Sequence, residues 1–271
     1  MAIGAVPAGQ NVGSSLGKPL LAGRRVLFLG AAYNPLSVAC LDALAAQGAT
    51  ITVAADDVLG TSIRRTLWRL LRTRGARSVT RRGWLVVRAR FRLAMRRLRV
   101  PLRGAASLHE VIAVHGLTSV SCRDPNGSAF VELVRERRIE VIVMANFRHI
   151  LRPRLYMVPE FGAINVHPSL LPAFRGPEPI YWVLARGDRA TGVTVHQVDD
   201  GLDTGPIVAQ QTLEIAFGDD ERTVLARAAL MAGAILPMAL ASLLSGRVRP
   251  WPQPVIGASY FPPAPRGASA L

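Results

Sequence analysis

The chain has 271 residues, and half of them are hydrophobic, so it is long enough to bury a core in one or two domains and is not a disordered chain. Its two cysteines, Cys40 and Cys122, lack CxxC spacing, which excludes a disulfide scaffold and a metal knuckle and favours a reducing, cytoplasmic setting without a bound metal. The formal net charge of +15 is local, because 15 arginines and no acidic residue lie between Arg64 and Arg103, which leaves the rest of the chain neutral.

The sequence of the N-terminal part predicts a flexible tail followed by a β-α-β unit. Residues 1–22 are rich in Gly, Ala and Ser and lack the charged and apolar regions of a signal peptide. An apolar run over residues 25–29 ends at Gly30, and Asn34-Pro35 is a typical start for the helix predicted over 36–46. A second strand is predicted over 49–55, so the sheet is expected to be parallel. The connecting turn lacks GxGxxG spacing, which disfavours a dinucleotide site.

An arginine-rich helical insertion is predicted over residues 61–105. Its arginines alternate with Leu, Val, Phe, Met and Trp, as in a basic amphipathic helix. Three interpretations stay open: contact with an anionic membrane surface, contact with RNA phosphates, or a solvated face without a partner. The first of these would make the protein peripheral at a membrane.

The remaining elements resume the α/β pattern. A helix is predicted over 128–138, strands over 139–145 and 163–166, and two further strands over 191–198 and 206–213 that are joined by a short turn. The uncharged run over 228–244 contains Pro237 and is shorter than the ~20 residues of a membrane span, so it predicts a buried helix.

Three polar residues form the pattern that points to chemistry. Asn165 and His167 are two positions apart, so on a strand their side chains leave the same face. Asp203 lies in the turn between the last two predicted strands, where it can approach His167. With no Ser or Cys nucleophile at a sharp turn, this set predicts direct attack by a substrate amine on an acyl donor, assisted by oxyanion stabilisation and proton transfer.

Two stretches carry a family resemblance: NVHPSLLP with RGPEP from Asn165 to Pro179, and TGVTVHQVDDGLDTGP from Thr191 to Pro206. They resemble the two signatures of the folate-dependent formyltransferases, which use 10-formyltetrahydrofolate as the formyl donor. The resemblance implies an α/β fold of the Rossmann-like formyltransferase type, with a mostly parallel twisted sheet, helices on both faces and a C-terminal antiparallel hairpin. The catalytic domain is then expected over residues 23–245, followed by a C-terminal tail over 246–271.

The same resemblance implies a role for each matching position. Asn165 and His167 would polarise the formyl carbonyl and hold the oxyanion, and Asp203 would orient His167 and help to take the proton of the amine. His196, on the strand of the second motif, is interpreted as structural or as supporting the site. The folate is expected to contact the residues Met144, Asn146, Phe147, Ile150, Leu151, Asp199, Asp200, Gly201 and Leu202. The substrate is expected to contact Ser169, Arg175 and Gly176.

The residues that select the acceptor amine are expected to lie outside these motifs. Within the family, the sequence favours a small amine, such as an amino sugar on a nucleotide or lipid carrier or a natural-product intermediate. One alternative acceptor is methionyl-tRNA, although the tail after the last predicted helix is expected to be too short for the C-terminal RNA-binding barrel that methionyl-tRNA formyltransferases normally carry. The other alternative is hydrolysis of the donor. An alternative of another class is an RNA- or membrane-binding module with a vestigial catalytic domain. A homodimer is expected from the related sugar enzymes.

Overall fold

The structure is a computed structural model that describes residues 19–56 and 107–265. The predicted arginine-rich insertion and nearly all of the predicted N-terminal tail lie outside these residues. The strands are β1 (Arg25–Ala31), β2 (Thr50–Asp56), β3 (Thr118–Ser119), β4 (Val141–Ala145), β5 (Ala163–His167), β6 (Ala190–Gln197) and β7 (Ile207–Glu214). The helices are α1 (Pro35–Ala46), α2 (Leu108–His115), α3 (Ser128–Glu136), α4 (Pro153–Tyr156), α5 (Pro179–Ala185) and α6 (Glu221–Leu244).

The described strands form one sheet in the order β3-β2-β1-β4-β5-β6-β7. The pairs from β3 to β5 are parallel, whereas β6 pairs antiparallel with both β5 and β7. This confirms the predicted mostly parallel sheet with an antiparallel hairpin at its C-terminal end. The strand order reverses between β1 and β4, and in open α/β sheets ligands bind beyond the carboxyl ends of the strands at such a point.

The sheet is covered on both faces, as its side-chain alternation requires. In β1, Val26 and Phe28 belong to one apolar core, and Leu27 and Leu29 belong to the other. Residues of α1 and α6 complete the first core, and residues of α3 and α4 complete the second. The four residues from Val26 to Leu29 are fully buried, which is why this strand is a continuous apolar run in the sequence.

Helix α1 begins as its sequence predicts. The Asn34 side chain accepts hydrogen bonds from the backbone N–H groups of Leu36 (2.9 Å) and Ser37 (3.4 Å), and Pro35 occupies the first turn. The buried Ser37 hydroxyl donates to the Ala145 carbonyl at 2.6 Å and accepts from the Ala31 N–H at 3.1 Å. One serine therefore holds together the carboxyl ends of β1 and β4 and the start of α1.

Helix α6 begins at Glu221 and is therefore longer than the predicted helix over 228–244. Asp220 caps its first turn, because the Asp220 side chain accepts a 2.7 Å hydrogen bond from the Thr223 N–H. Pro237 lies inside the helix and is buried. By length and composition alone α6 could cross a membrane, but half of its most apolar stretch is buried inside the protein. A Cβ on Gly233 would lie only 3.3 Å from the Ala39 carbonyl oxygen, so α6 packs closely on α1.

Four described elements were not predicted: α2, β3, α4 and α5. A signal for α2 is present in the sequence, since Ser107 caps its first turn and Glu110 follows three residues later, as in a capping box. The helix ends at Gly116, whose φ is +62°. The others are two to seven residues long, which is too short for hydrophobic periodicity to reveal.

The described part of the predicted C-terminal tail packs against the sheet and the site. Trp251 forms an antiparallel bridge with Ile207, and Tyr260 forms a parallel bridge with Arg175. The backbone N–H of Arg175 donates to the Ser259 carbonyl at 2.9 Å, and that of Phe261 donates to the Arg175 carbonyl at 2.9 Å. This segment therefore runs along the loop that follows β5.

Candidate active site

A cavity of about 960 Å³ lies at the carboxyl ends of β1, β4 and β5. Its wall contains the loops that follow these strands, the turn between β6 and β7, and the start of α6. This volume is at the upper end of the range for small-molecule sites. All three side chains predicted to carry the chemistry, those of Asn165, His167 and Asp203, lie in its wall.

Strand β5 brings Asn165 and His167 to the same face of the sheet. The His167 ring is buried, and its Nε2 is 2.9 Å from the carbonyl oxygen of Phe174. A carbonyl oxygen only accepts hydrogen bonds, so Nε2 carries the proton of the neutral ring. The other ring nitrogen, Nδ1, then has a lone pair, and it faces Asp203 Oδ2 at 3.8 Å.

Asp203 connects the turn between β6 and β7 with both of these residues. Its Oδ1 accepts a hydrogen bond from Asn165 Nδ2 at 3.2 Å, and its Oδ2 accepts one from the Gly176 backbone N–H at 2.9 Å. The carboxylate is therefore held by two donors while it faces the His167 ring.

A second buried histidine, His196, completes the cluster. Its Nδ1 is 2.8 Å from the Gln197 carbonyl oxygen, so Nδ1 is the protonated nitrogen of the neutral ring. Its Nε2 accepts from Asn165 Nδ2 at 3.2 Å and is 3.6 Å from Asp203 Oδ1. The Asn165 amide thus has both of its hydrogens directed at partners within the site. His196 lies in the cavity wall, in contact with two of the three predicted residues.

Burial and charge set the protonation of the two central groups. Burial lowers the pKa of His167 below its usual 6.5, and the neighbouring Asp203 carboxylate offsets part of that shift. Burial would raise the pKa of Asp203, but the positive charge that the His167 and His196 rings carry when protonated and the Gly176 N–H together hold it well below its usual value. At neutral pH the site therefore combines a neutral imidazole with an ionised carboxylate.

Backbone strain is concentrated around this cluster. Among the described residues other than glycine, those with positive φ are Arg138, Asn146, Phe174, Glu178 and Asp203. All of these except Arg138 follow β4 or β5 or belong to the β6–β7 turn. Such conformations cost about 1–3 kcal/mol each and persist only where the surroundings hold them. The Asp203 carboxylate is thus presented by a strained turn.

The residues predicted to contact the folate line the cavity, with one exception. Met144, Asn146, Phe147, Ile150, Leu151, Asp199, Gly201 and Leu202 all lie in its wall. Ile150 and Leu202 are exposed to 72% and 40%, respectively, although both are large and apolar. Asp200 is not among the lining residues; its carboxylate accepts a 2.7 Å bond from the Tyr156 hydroxyl, which raises the pKa of Tyr156 to about 12.

Of the residues predicted to contact the substrate, only Gly176 lies in the cavity wall. Ser169 is fully buried, and its hydroxyl donates to the Ala173 carbonyl at 2.9 Å. The Arg175 guanidinium donates to the side chain of Gln253 through Nε at 3.1 Å and Nη2 at 2.7 Å. Both side chains have internal partners that shape the loop after β5.

Asn126 does not line the cavity but supports the loop after β4, a role that the sequence did not predict. Its amide donates to the Ile150 carbonyl at 2.9 Å and accepts from the Arg152 N–H at 2.8 Å. It therefore fixes the loop that carries Ile150 and Leu151. Its position in a turn before α3 gave no signal in the sequence, because only the fold brings it to the loop after β4.

Comparison with known proteins gives a consistent result. The family described as formyl transferase matches residues 102–240. Methionyl-tRNA formyltransferase of Myxococcus xanthus is 39% identical over 133 residues, which are 49% of this chain and 43% of that protein. The enzyme of the same name from Halorhodospira halophila is 38% identical over 146 residues, or 54% of this chain and 47% of that protein. The matched part of this chain thus spans less than half the length of these relatives.

Two solved structures share the fold at low sequence identity. Glycinamide ribonucleotide transformylase 1 from Symbiobacterium toebii is similar with a TM-score of 0.59 and 20% identity, covering 90% of this chain and all of that one. An N-formyltransferase from Helicobacter canadensis, in complex with folinic acid and dTDP-3-aminofucose, is similar with a TM-score of 0.56 and 15% identity over 89% of this chain and 71% of that one.

Proposed function

Because this chain belongs to the formyl transferase family, we propose that it moves a formyl group from 10-formyltetrahydrofolate to the amine of a small substrate. The acceptor class that we favour is an amino sugar on a nucleotide or lipid carrier, or a natural-product intermediate. The observation that carries the proposal is the cluster of Asn165, His167 and Asp203 in the wall of one cavity.

The donor would bind on the side of the cavity formed by the loop after β4 and the β6–β7 turn. Met144, Phe147 and Leu151 offer apolar surface there, and the exposed Ile150 and Leu202 would be covered by a flat aromatic ligand. Covering such residues contributes about 25 cal/mol per Å² of apolar area. This chemistry fits a pteridine ring with its aromatic extension.

In the reaction, nitrogen of the acceptor amine attacks the formyl carbon, a C–N bond forms, and the carbonyl oxygen becomes negatively charged. Asn165 Nδ2 is the donor suited to this oxygen, because an amide N–H strengthens its hydrogen bond as charge develops. Its hydrogens point at Asp203 and His196 in the structure described above. One of these bonds is therefore exchanged for the bond to the oxyanion during the reaction.

The proton lost by the amine passes to His167. Since Nε2–H is held by the Phe174 carbonyl, the proton is taken up by Nδ1, which faces Asp203 Oδ2 at 3.8 Å. Asp203 stays ionised because its pKa is lowered, and its charge stabilises the imidazolium that forms. The bond between the formyl carbon and the folate nitrogen then breaks, that nitrogen takes the proton that His167 received from the amine, and the formylated amine and tetrahydrofolate leave.

Two observations bear on the nature of the acceptor. The fold covers most of the Helicobacter canadensis enzyme, whose structure holds dTDP-3-aminofucose. The first-turn N–H groups of a helix often bind phosphate. In α1 the N–H groups of Leu36 and Ser37 already donate to the Asn34 side chain, so these two donors are not available to a phosphate. An acceptor without a phosphate next to its amine suits this wall.

A second candidate acceptor is methionyl-tRNA, because two relatives that are 39% and 38% identical over about half of this chain are methionyl-tRNA formyltransferases. In that case the arginines between Arg64 and Arg103 would supply the contacts to RNA phosphates.

For either acceptor we propose a cytoplasmic location. If the protein also binds an anionic membrane surface, the same arginines would make that contact. A homodimer is likewise proposed from the relation to sugar enzymes. The intact cluster of Asn165, His167 and Asp203 disfavours a vestigial domain.

The test is tetrahydrofolate release from 10-formyltetrahydrofolate by the purified protein, with amino-sugar nucleotides, free amines and charged methionyl-tRNA offered separately. Formylation is read by mass spectrometry as the gain of one CO unit on the acceptor. A gain on a small amine alone supports the proposal, and a gain on the tRNA alone assigns the second acceptor. Release without any acceptor identifies a hydrolase, and no release at all contradicts the proposed activity.

A further inference from the structure

The side chain of Gln253, in the segment after α6, bonds to both loops that hold the Asp203 carboxylate. Its Nε2 donates to the backbone carbonyls of Asp203 (2.9 Å) and Gly205 (2.8 Å). Its Oε1 accepts from Nε and Nη2 of Arg175 at 3.1 and 2.7 Å. Fifty residues separate Gln253 from Asp203 in sequence.

These bonds fix the orientation of the amide. Arginine can only donate and a backbone carbonyl can only accept, so the oxygen of Gln253 has to face Arg175 and its nitrogen has to face the turn. Both hydrogens and both lone pairs of the amide are used. A side chain with an oxygen in place of Nε2 would face two carbonyl oxygens without a donor.

The turn that Gln253 holds is strained and close-packed. Asp203 has a φ of +53°, and the carbonyls on either side of Thr204 are the groups that Gln253 binds. A Cβ on Gly205 would collide with the Gln197 carbonyl, so the backbone of this turn has little room. Two bonds to the backbone of this turn, one of them to the carbonyl of the strained Asp203 itself, limit the motion of the Asp203 carboxylate.

The other end of the Gln253 amide holds the second partner of the same carboxylate. Arg175 precedes Gly176, whose backbone N–H donates to Asp203 Oδ2 at 2.9 Å. The loop between Phe174 and Gly176 also provides the carbonyl oxygen that binds His167 Nε2. Gln253 therefore lies between the turn that presents the carboxylate and the loop that orients both the carboxylate and the imidazole.

We propose that Gln253 is a positioning residue of the active site, which sets the Asp203 carboxylate relative to Asn165 and His167 without touching the substrate. The proposal rests on the proposed function for its kinetic consequences, but its structural consequences do not depend on that function. Arg175 is the partner through which Gln253 acts on the loop after β5.

The experiment compares Gln253→Glu and Gln253→Leu with the wild type and with Gln211→Glu, a matched control at an exposed position of β7. With the amine that the wild type formylates, kcat is expected to fall about 10- to 100-fold in both Gln253 variants, because misplacement of a catalytic group by about 1 Å costs as much as 10²-fold. The KM for 10-formyltetrahydrofolate and the Kd of folinic acid are expected to change less than 3-fold. Gln211→Glu is expected to match the wild type.

A readout without turnover separates positioning from folding and from the proposed function. The NMR signals of ¹⁵N-labelled His167 are followed against pH, with Asp203 and His196 as the titratable groups that face its ring. If Gln253 positions Asp203, the midpoint moves to lower pH in Gln253→Leu, which adds no charge, and stays unchanged in Gln211→Glu, whether or not any acceptor is formylated. An unchanged midpoint in folded Gln253→Leu overturns the proposal, and so does an unchanged kcat in either Gln253 variant. Loss of kcat, folinic acid binding and thermal stability together, without movement of the midpoint, would assign Gln253 a structural role only.

Discussion

At the scale of single residues, Asp203 is the point at which the contacts of the site converge. It accepts hydrogen bonds from Asn165 and Gly176, faces the rings of His167 and His196, and has its own carbonyl bound by Gln253. A carboxylate with so many partners keeps its charge at neutral pH. Its expected part in the reaction is to stabilise charge on His167 rather than to take the proton itself.

Removal of either central side chain is expected to reduce turnover strongly. His167→Ala or Asp203→Asn should lower kcat by about 10²–10⁴-fold, since positioned acid–base groups contribute that much. Folinic acid binding should persist, because its proposed wall lies in other loops. Steady-state kinetics and isothermal titration check both statements, with Asp188→Asn, at a partly exposed carboxylate paired with Arg186, as the control. Turnover like that of the wild type in either variant contradicts the assigned roles.

The pH dependence of the reaction follows from His167. Because its pKa is lowered from 6.5, the ring is neutral near pH 7 and able to accept a proton. The ratio kcat/KM should therefore be level near pH 7 and fall only as the pH drops through a midpoint below 6.5. In Asp203→Asn the charge that raises this pKa is gone, so the NMR midpoint of His167 should move further down. A midpoint at or above that of the wild type would show that Asp203 does not act on His167.

At the scale of elements, the strands of the catalytic part were the most predictable feature. The predicted runs over 191–198 and 206–213 correspond to β6 and β7, each displaced by one residue. Asn165, His167 and Asp203 could be predicted because they lie inside motifs on β5 or in the turn between β6 and β7. Gln253, Asn126 and Tyr156 could not, since each acts through contacts that arise only when distant segments meet.

The junction of β1, β4 and α1 depends on one buried hydroxyl. Ser37→Ala removes the donor to the Ala145 carbonyl and the acceptor of the Ala31 N–H. Leaving buried polar groups without partners costs about 1–3 kcal/mol, so the free energy of unfolding should fall by about that amount in urea denaturation. Ser245→Ala, at the exposed end of α6, is the matched control and should change it by less than about 0.5 kcal/mol. Equal effects of the two substitutions would contradict the role given to Ser37.

At the scale of the whole molecule, charge is divided unevenly along the chain. All of the excess positive charge can be ascribed to the stretch from Arg64 to Arg103, while the cavity is lined by both acidic and basic described residues, such as Glu178, Glu221 and Arg148. The sequence predicts this concentration of charge, but charge alone does not distinguish RNA, a membrane surface and solvent as the surroundings of the stretch.

Salt dependence tests which of these applies. Five substitutions to glutamine, at Arg82, Arg88, Arg90, Arg92 and Arg96, should leave folinic acid binding unchanged. If the acceptor is tRNA, the slope of log affinity against log salt should become less steep by up to about 4.5, or ~0.9 for each duplex phosphate that an arginine no longer neutralises. If the acceptor is a small amine without phosphates, its kinetics should not respond. A change in folinic acid affinity would show that the arginines take part in donor binding.

The bonds of Gln253 also bear on the order in which the protein is made. The ribosome completes the strands of the sheet and the Asp203 turn first, and Gln253 follows 50 residues after Asp203. At about 5–20 residues per second, this interval lasts about 3–10 seconds. During that time a nascent chain can pair its strands while the turn is still unrestrained. Maturation of the site would then be a late event of synthesis, completed only when the segment after α6 emerges and docks.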